Sequence, residues 1–165
     1  MSDRLTHLDE RGHARMVDVG AKSTTERMCV ARAEVRMAAS TLERIRAAGF
    51  PKGDVLAVAR LAGIQAAKRT SDWIPLAHPI ALDAIEIDLS IDPEGGCVRV
   101  QAIARAHART GVEMEALVGV SAASLALYDM CKAVDRGMTV ESVRLAEKRG
   151  GKSGHWVRPG EREQR

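Results

Sequence analysis

Asp129 and Lys132 lie three positions apart in a mostly apolar stretch. At about 100° per residue they share a helical sector with Met114, Val118, Leu125 and Tyr128. If that sector is dry, burial raises the carboxyl pKa and lowers that of the amine, and the two can exchange protons as a general acid and base. The alternative is a structural ion pair at the helix end, where Lys132 also meets the negative end of the dipole. Glu113 and Glu115 open the same helix, where carboxylates satisfy free amides; if Glu113 caps, Glu115 is the better placed to accept a hydrogen bond from a ligand. His78 lies between Pro75 and Pro79. The prolines restrain the backbone, so this loop can aim the ring as acid, base or donor.

Lys52, Lys68, Arg69, Lys148 and Lys152 fall at expected element ends, where basic side chains can converge on phosphates beside the free amides of Gly150-Gly151-Lys152-Ser153-Gly154. The Gly-Lys-Ser there is no P-loop, because the required leading glycine is Ala146 and no helix of useful length follows. No metal ligands are expected: there is no His-x-x-x-His, no Cys-x-x-Cys and no compact acidic cluster. Cys29, Cys97 and Cys131 are scattered and odd in number, which fits neither a disulfide framework nor a zinc ribbon and points to buried thiols in the reducing cytosol.

The elements that must position these residues follow from patterning. Residues from 28 to 37 alternate, with Cys29, Ala31, Ala33, Val35 and Met37 on one side, which predicts a strand with one wet face. Ser40-Thr41-Leu42-Glu43 has capping-box spacing and starts a short helix that Gly49 and Pro51 end. A second helix runs over 55–69, capped by Asp54, with Val55, Val58, Ala62 and Ala66 as its apolar stripe. Strands over 85–91 and 98–106 flank the turn cluster Asp92-Pro93-Glu94-Gly95-Gly96 and form a hairpin. The helix of Glu113 to Lys132 ends near Asp135-Arg136-Gly137, and a last strand runs over 140–147.

Strand, two helices, two strands, helix, strand is the order of an α+β fold with a ferredoxin-like antiparallel sheet and helices packed on one face. The 165 residues fit a single domain over 1–165, with a loose N-terminal arm (about 1–27) and C-terminal tail (about 149–165). Aromatic residues are only 2%, so the core must be aliphatic and its elements can approach closely. The first dozen residues have no signal-peptide core and no run approaches the length of a bilayer, so a cytoplasmic protein without membrane contact is expected. The net charge of +3 suits an anionic ligand but is too small to imply nucleic acid by itself.

Read together, several words resemble one family: Met16-Val17-Asp18-Val19, Lys52-Gly53-Asp54-Val55, Ala62-Gly63-Ile64-Gln65-Ala66-Ala67-Lys68-Arg69-Thr70, Ile74-Pro75-Leu76 with His78-Pro79, Thr110-Gly111-Val112-Glu113-Met114-Glu115-Ala116-Leu117, Tyr128-Asp129-Met130-Cys131-Lys132-Ala133 and Gly150-Gly151-Lys152-Ser153-Gly154. In this order, over nearly the whole chain, they resemble the cyclic pyranopterin monophosphate synthases, the molybdenum cofactor biosynthesis proteins C. The resemblance implies a lyase that converts 3′,8-cyclo-7,8-dihydro-GTP, made by a radical GTP cyclase, to cyclic pyranopterin monophosphate and pyrophosphate. It implies a homohexamer, a trimer of dimers with active sites at the dimer interface. It implies Asp129 and Lys132 as catalytic, and Lys52, Lys68, Leu76, Ala77, His78, Glu113, Met114, Glu115, Lys148 and Lys152 as substrate-binding. No cofactor is required, although magnesium can accompany the substrate triphosphate. Ala77 stands where many members carry cysteine, Arg109 where members often carry lysine, and Cys29 where alanine is usual. Two other classes fit the topology. An RNA-binding module is disfavoured because Trp73, Trp156, Tyr128 and Phe50 fall on no expected strand, and a nucleotide-binding subunit without turnover is the other.

Overall fold

The computed structural model describes residues 11–152 and 154–163. In chain order they form β1 (Thr25–Arg36), α1 (Ala39–Arg46), α2 (Val55–Ala67), a single turn α3 (Thr70–Trp73), β2 (Ala84–Asp92), β3 (Cys97–Ala108), α4 (Glu113–Cys131), β4 (Thr139–Arg149) and β5 (Trp156–Val157). The sheet order is β2-β3-β1-β4-β5, with every pairing antiparallel. The first four strands thus have the ferredoxin-like arrangement, and β5 extends it beyond β4. The alternation in β1 sends Cys29, Ala31, Ala33 and Val35 into one core with Val98, Val100 and Ala102 of β3 and Val120, Ala123 and Leu127 of α4. Patterning of period two leaves no other register in which those side chains face the helices.

α2 departs from its expected stripe. Val58 is 40% exposed, while Ala59, Gly63 and Ala67 are buried. The smallest residues decide this: a Cβ on Gly63 would come within 2.9 Å of the Gly119 carbonyl oxygen and 3.1 Å of Ala123 Cβ. The backbones of α2 and α4 therefore touch, and the larger valine is displaced outward. α1 departs too, for no side chain of its own caps it. Asp135, from the turn after α4, accepts from Ala38 N at 2.9 Å and from Thr41 Oγ1 at 3.1 Å. Asp54 does cap α2, accepting from Ala57 N at 3.0 Å.

In their described parts the two end stretches make specific contacts with the body of the fold. His78 Nε2 is 2.8 Å from the Val17 carbonyl oxygen. At the other end β5 pairs with β4, and Glu161 binds Arg32 and, at 2.5 Å, Arg144 on the outer sheet face. Residues 1–10, Ser153 and 164–165 lie outside the described residues. By length and apolarity α4 would pass as a membrane span, against the expectation from run lengths, yet most of it is buried inside the protein.

Candidate active site

Three recesses meet around the start of α4. An inner cavity of about 560 Å³ is walled by Val17, Val19, Ile74, Leu76, Ala77, Ile80 and Met114, with His78, Glu113 and Glu115 as polar groups. It opens into a groove of about 800 Å³ through shared residues Lys22, Thr110, Gly111 and Glu113. Lys22, Arg27, Arg109, Lys148 and Lys152 line that groove, against the one carboxylate of Glu113. A smaller recess of about 220 Å³ shares Glu115 with the inner cavity and carries Lys68, Thr70 and Ser71. A largely apolar pocket continuous with a cationic groove is suited to a flat heterocycle bearing a phosphate chain. A further cavity of about 570 Å³ on the outer sheet face also carries arginines, but there Glu161 already neutralises Arg32 and Arg144.

The polar groups are set by their elements. β4 brings Lys148 onto Glu113, so Glu113 serves an ion pair and does not cap α4. Glu115, one helical step further in, is 3% exposed. Burial first, then the charge of Glu113, pushes its carboxyl up to about 7, so it can hold or release a proton near neutrality. A carbonyl oxygen only accepts, so the Val17 contact places the His78 hydrogen on Nε2 and leaves Nδ1 as the acceptor of the neutral ring. Cys29 and Cys131 are pushed by burial to about 12 and about 11 and stay thiols.

Asp129, Lys132 and Lys52 form a separate cluster at the far end of α4. Lys132 Nζ is 2.5 Å and Lys52 Nζ 3.8 Å from the Asp129 carboxylate, and Lys52 also donates to the Asp129 carbonyl at 3.3 Å. The shared face is not dry here: the side chains of Asp129 and Lys132 are 59% and 53% exposed, as is Leu125 at 56%. The Lys132 hydrogen bond and charge hold the Asp129 carboxyl below its usual range, and the same contact raises the Lys132 amine. Both shifts run opposite to those expected from burial. α4 is apolar around most of its circumference, and it is Val120, Ala123, Leu127 and Cys131 that face the core.

The geometry therefore gathers Leu76, Ala77, His78, Glu113, Met114, Glu115, Lys148 and Lys152 into adjoining cavities, adds Lys68 at their edge, and leaves Lys52, Asp129 and Lys132 apart. Fourteen residues of helix put about 21 Å between Glu115 and Asp129. Lys22 and Arg27 are not among the expected site residues, because both fall in the stretch 1–27 that patterning reads as a loose arm; a turn there orders the approach to Lys22, with Asp18 Oδ1 accepting from Gly20 N at 2.8 Å and Val19 O from Lys22 N at 3.0 Å.

Comparison with known proteins decides the family. Residues 16–151 match the model described as the MoaC family. The chain belongs to the MoaC family. This MoaC-family chain is 57% identical over 157 residues to a protein of Roseiflexus sp. (strain RS-1), covering 95% of the chain and 99% of that relative. It is 56% identical to one of Novosphingobium aromaticivorans, over 92% of the chain and 96% of the relative, and 54% identical to one of Desulfitobacterium hafniense, over 93% and 94%. All three relatives bear the name cyclic pyranopterin monophosphate synthase. The MoaC match takes in the inner cavity, the smaller recess, the Asp129 cluster and every residue of the groove except Lys152, which lies one position beyond it.

Proposed function

We propose that this chain is a cyclic pyranopterin monophosphate synthase, a lyase of molybdenum cofactor biosynthesis. Its substrate would be 3′,8-cyclo-7,8-dihydro-GTP, supplied by an upstream radical GTP cyclase, and its products cyclic pyranopterin monophosphate and pyrophosphate. The observation that carries this reading is the continuity of the inner cavity with the five-cation groove through Lys22 and Glu113. The guanine-derived rings occupy the inner cavity against Leu76, Ala77 and Met114, and the triphosphate runs out along Lys148 and Lys152. Positive charge there stabilises the pyrophosphate as it leaves when the cyclic phosphate closes. Glu115, titrating near 7, and His78, through Nδ1, are the groups beside the rings able to move protons as the five-membered ring opens and the pterin ring closes.

Asp129 and Lys132 enter from a second copy. No ring can be within hydrogen-bond reach of Glu115 and of Asp129 in one chain when about 21 Å of helix separates them. The site is complete only when one subunit supplies Lys52, Asp129 and Lys132 and its neighbour the cavities. This supports active sites at a dimer interface, and exposed Val58, Leu61, Trp73 and Leu125 offer apolar surface for assembly into a trimer of dimers. Binding to the neighbour's site would remove water from the Asp129–Lys132 pair and bring its proton affinities toward each other. The reaction calls for no redox cofactor, and magnesium would arrive on the triphosphate as part of the substrate. The proposed setting is cytoplasmic, which suits three buried thiols. Incubation of the protein with the cyclised GTP intermediate should yield pterin and pyrophosphate in equal amounts; neither product appearing would refute the assignment.

A further inference from the structure

The glycine segment that carries Lys152 is anchored by a carboxylate on the opposite side of the strand from the groove. Along β4, Lys148 turns to Glu113, while its neighbours Glu147 and Arg149 turn the other way. Glu147 is 0% exposed. Its Oε1 accepts from Arg149 Nε at 2.5 Å and from His155 Nε2 at 2.9 Å. Arg149 is the last residue before Gly150, and His155 the first after Gly154. One buried oxygen thus ties together the two ends of the segment that holds Lys152.

The segment is also fixed from within and from below. Gly150 N donates to the Gly154 carbonyl at 3.1 Å, and Gly154 N to that of Gly151 at 3.1 Å. Gly150 and Gly151 have φ of 98° and 73°, and a Cβ on either would collide, with the Glu26 carbonyl oxygen and the Arg27 guanidinium respectively. The turn is therefore seated directly on Arg27, another cation of the same groove. A buried carboxylate costs a great deal unless it is paired, and its partners here include both residues that flank the turn.

We infer that Glu147 and His155 are positioning residues that set where Lys152 stands in the groove, and with it the affinity for the phosphate chain. They touch no substrate; they act through the glycine segment. This rests on reading the groove as a phosphate site, but its test needs no turnover. Binding of inorganic triphosphate to the full chain is measured by calorimetry for the wild type, His155→Ala, Lys152→Ala and the double variant. His155 is 41% exposed at its side chain and Arg149 still pairs with Glu147 when it is truncated, so the variant remains folded, which a cooperative thermal transition above the assay temperature verifies. The expected result is that His155→Ala weakens triphosphate binding about fivefold to tenfold in the wild-type background and not at all when Lys152 is already alanine. His155→Gln, whose amide nitrogen takes about the place of Nε2 and can still donate to Glu147, restores most of the affinity. Equal losses in both backgrounds, no loss in either, or a wild type that does not bind triphosphate would each overturn the inference. A chain that binds triphosphate in this pattern but forms no pterin would leave it standing while the proposed activity fell.

Discussion

The two ends of α4 carry the same kinds of side chain in opposite environments. At the start, Glu115 is enclosed between two cavities and its carboxyl is pushed up to about 7. At the finish, Asp129 is exposed and ion-paired, and its carboxyl lies below the ordinary range. A carboxylate near an amine does not by itself make a proton-transfer site; exclusion of water decides the direction of the shift. Within one chain only the first end has that exclusion; in the proposed assembly the second acquires it by meeting a neighbour.

The sharpest way to break this comparison is to remove the two ends in different molecules. Asp129→Asn should lower turnover about a thousandfold with Tm unchanged, because the side chain is exposed and the role proposed for it is in the assembled site. Mixing it, after reversible dissociation, with Glu115→Gln should restore about a quarter of wild-type sites, since half of randomly formed dimers are mixed and one of their two sites is intact. Mixtures as inactive as the separate variants would show that both ends act within one subunit.

Glu115→Gln alone should cost about a hundredfold in turnover and remove the limb of the pH–rate profile near 7. Stability gives an independent reading of the same group. A carboxyl whose folded pKa is raised from 4.5 to about 7 is neutral in both states below 4.5 and is penalised in the folded state as it ionises. Wild-type stability should therefore fall by on the order of 3 kcal/mol as pH rises from about 4.5 to 7 and then level off. In Glu115→Gln that slope should be absent from chemical denaturation; a parallel slope in both proteins would place the titration elsewhere.

Smaller effects report on what holds the two ends apart. Gly63→Ala forces a methyl against the Gly119 carbonyl and Ala123 and should destabilise by about 2 kcal/mol, read as a lower midpoint in urea. Asp135→Ala removes the distant cap of α1 and should cost about 1 kcal/mol at neutral pH. The hydrogen bond from Ala38 N, with those from Thr41 and Gly137, holds the Asp135 carboxyl below its usual range. Its contribution is present above the unfolded pKa and is lost as pH falls through the folded one, so the two proteins should converge in acid.

Much of this architecture is legible in the residues, because β2 alternates cleanly, β1 and β3 alternate except where Met28, Val30 and Ile103 bury the other face as well, and turn residues mark the strand ends. α4 is where periodicity fails: a helix apolar nearly all round offers no stripe from which to choose, so the sector of Asp129 reads as dry when Leu127 and Ala123 are the ones that meet the sheet. α2 misleads for a related reason, since the tightest contact is made by Gly63 rather than by the larger Val58. The cap on α1 comes from Asp135, about a hundred positions away, and no local pattern could supply it. β5, two residues long beside a glycine-rich turn, carries too little text to be seen as a strand. In the site, the residue types at Glu113, Glu115, His78, Lys148 and Lys152 are visible as words, and the distance to Asp129 follows from the rise of the expected helix, whereas the burial of Glu115 exists only in three dimensions.

The hold of the Val17 carbonyl on His78 bears on how the protein is handled. A tag or cleavage site placed ahead of Met16 leaves that carbonyl where it is, but trimming past Val17 frees the ring to flip and exchange its hydrogen between nitrogens. On the proposed reading, a preparation shortened in this way would be poor at its task, for want of one backbone oxygen and of the Val17 wall of the inner cavity.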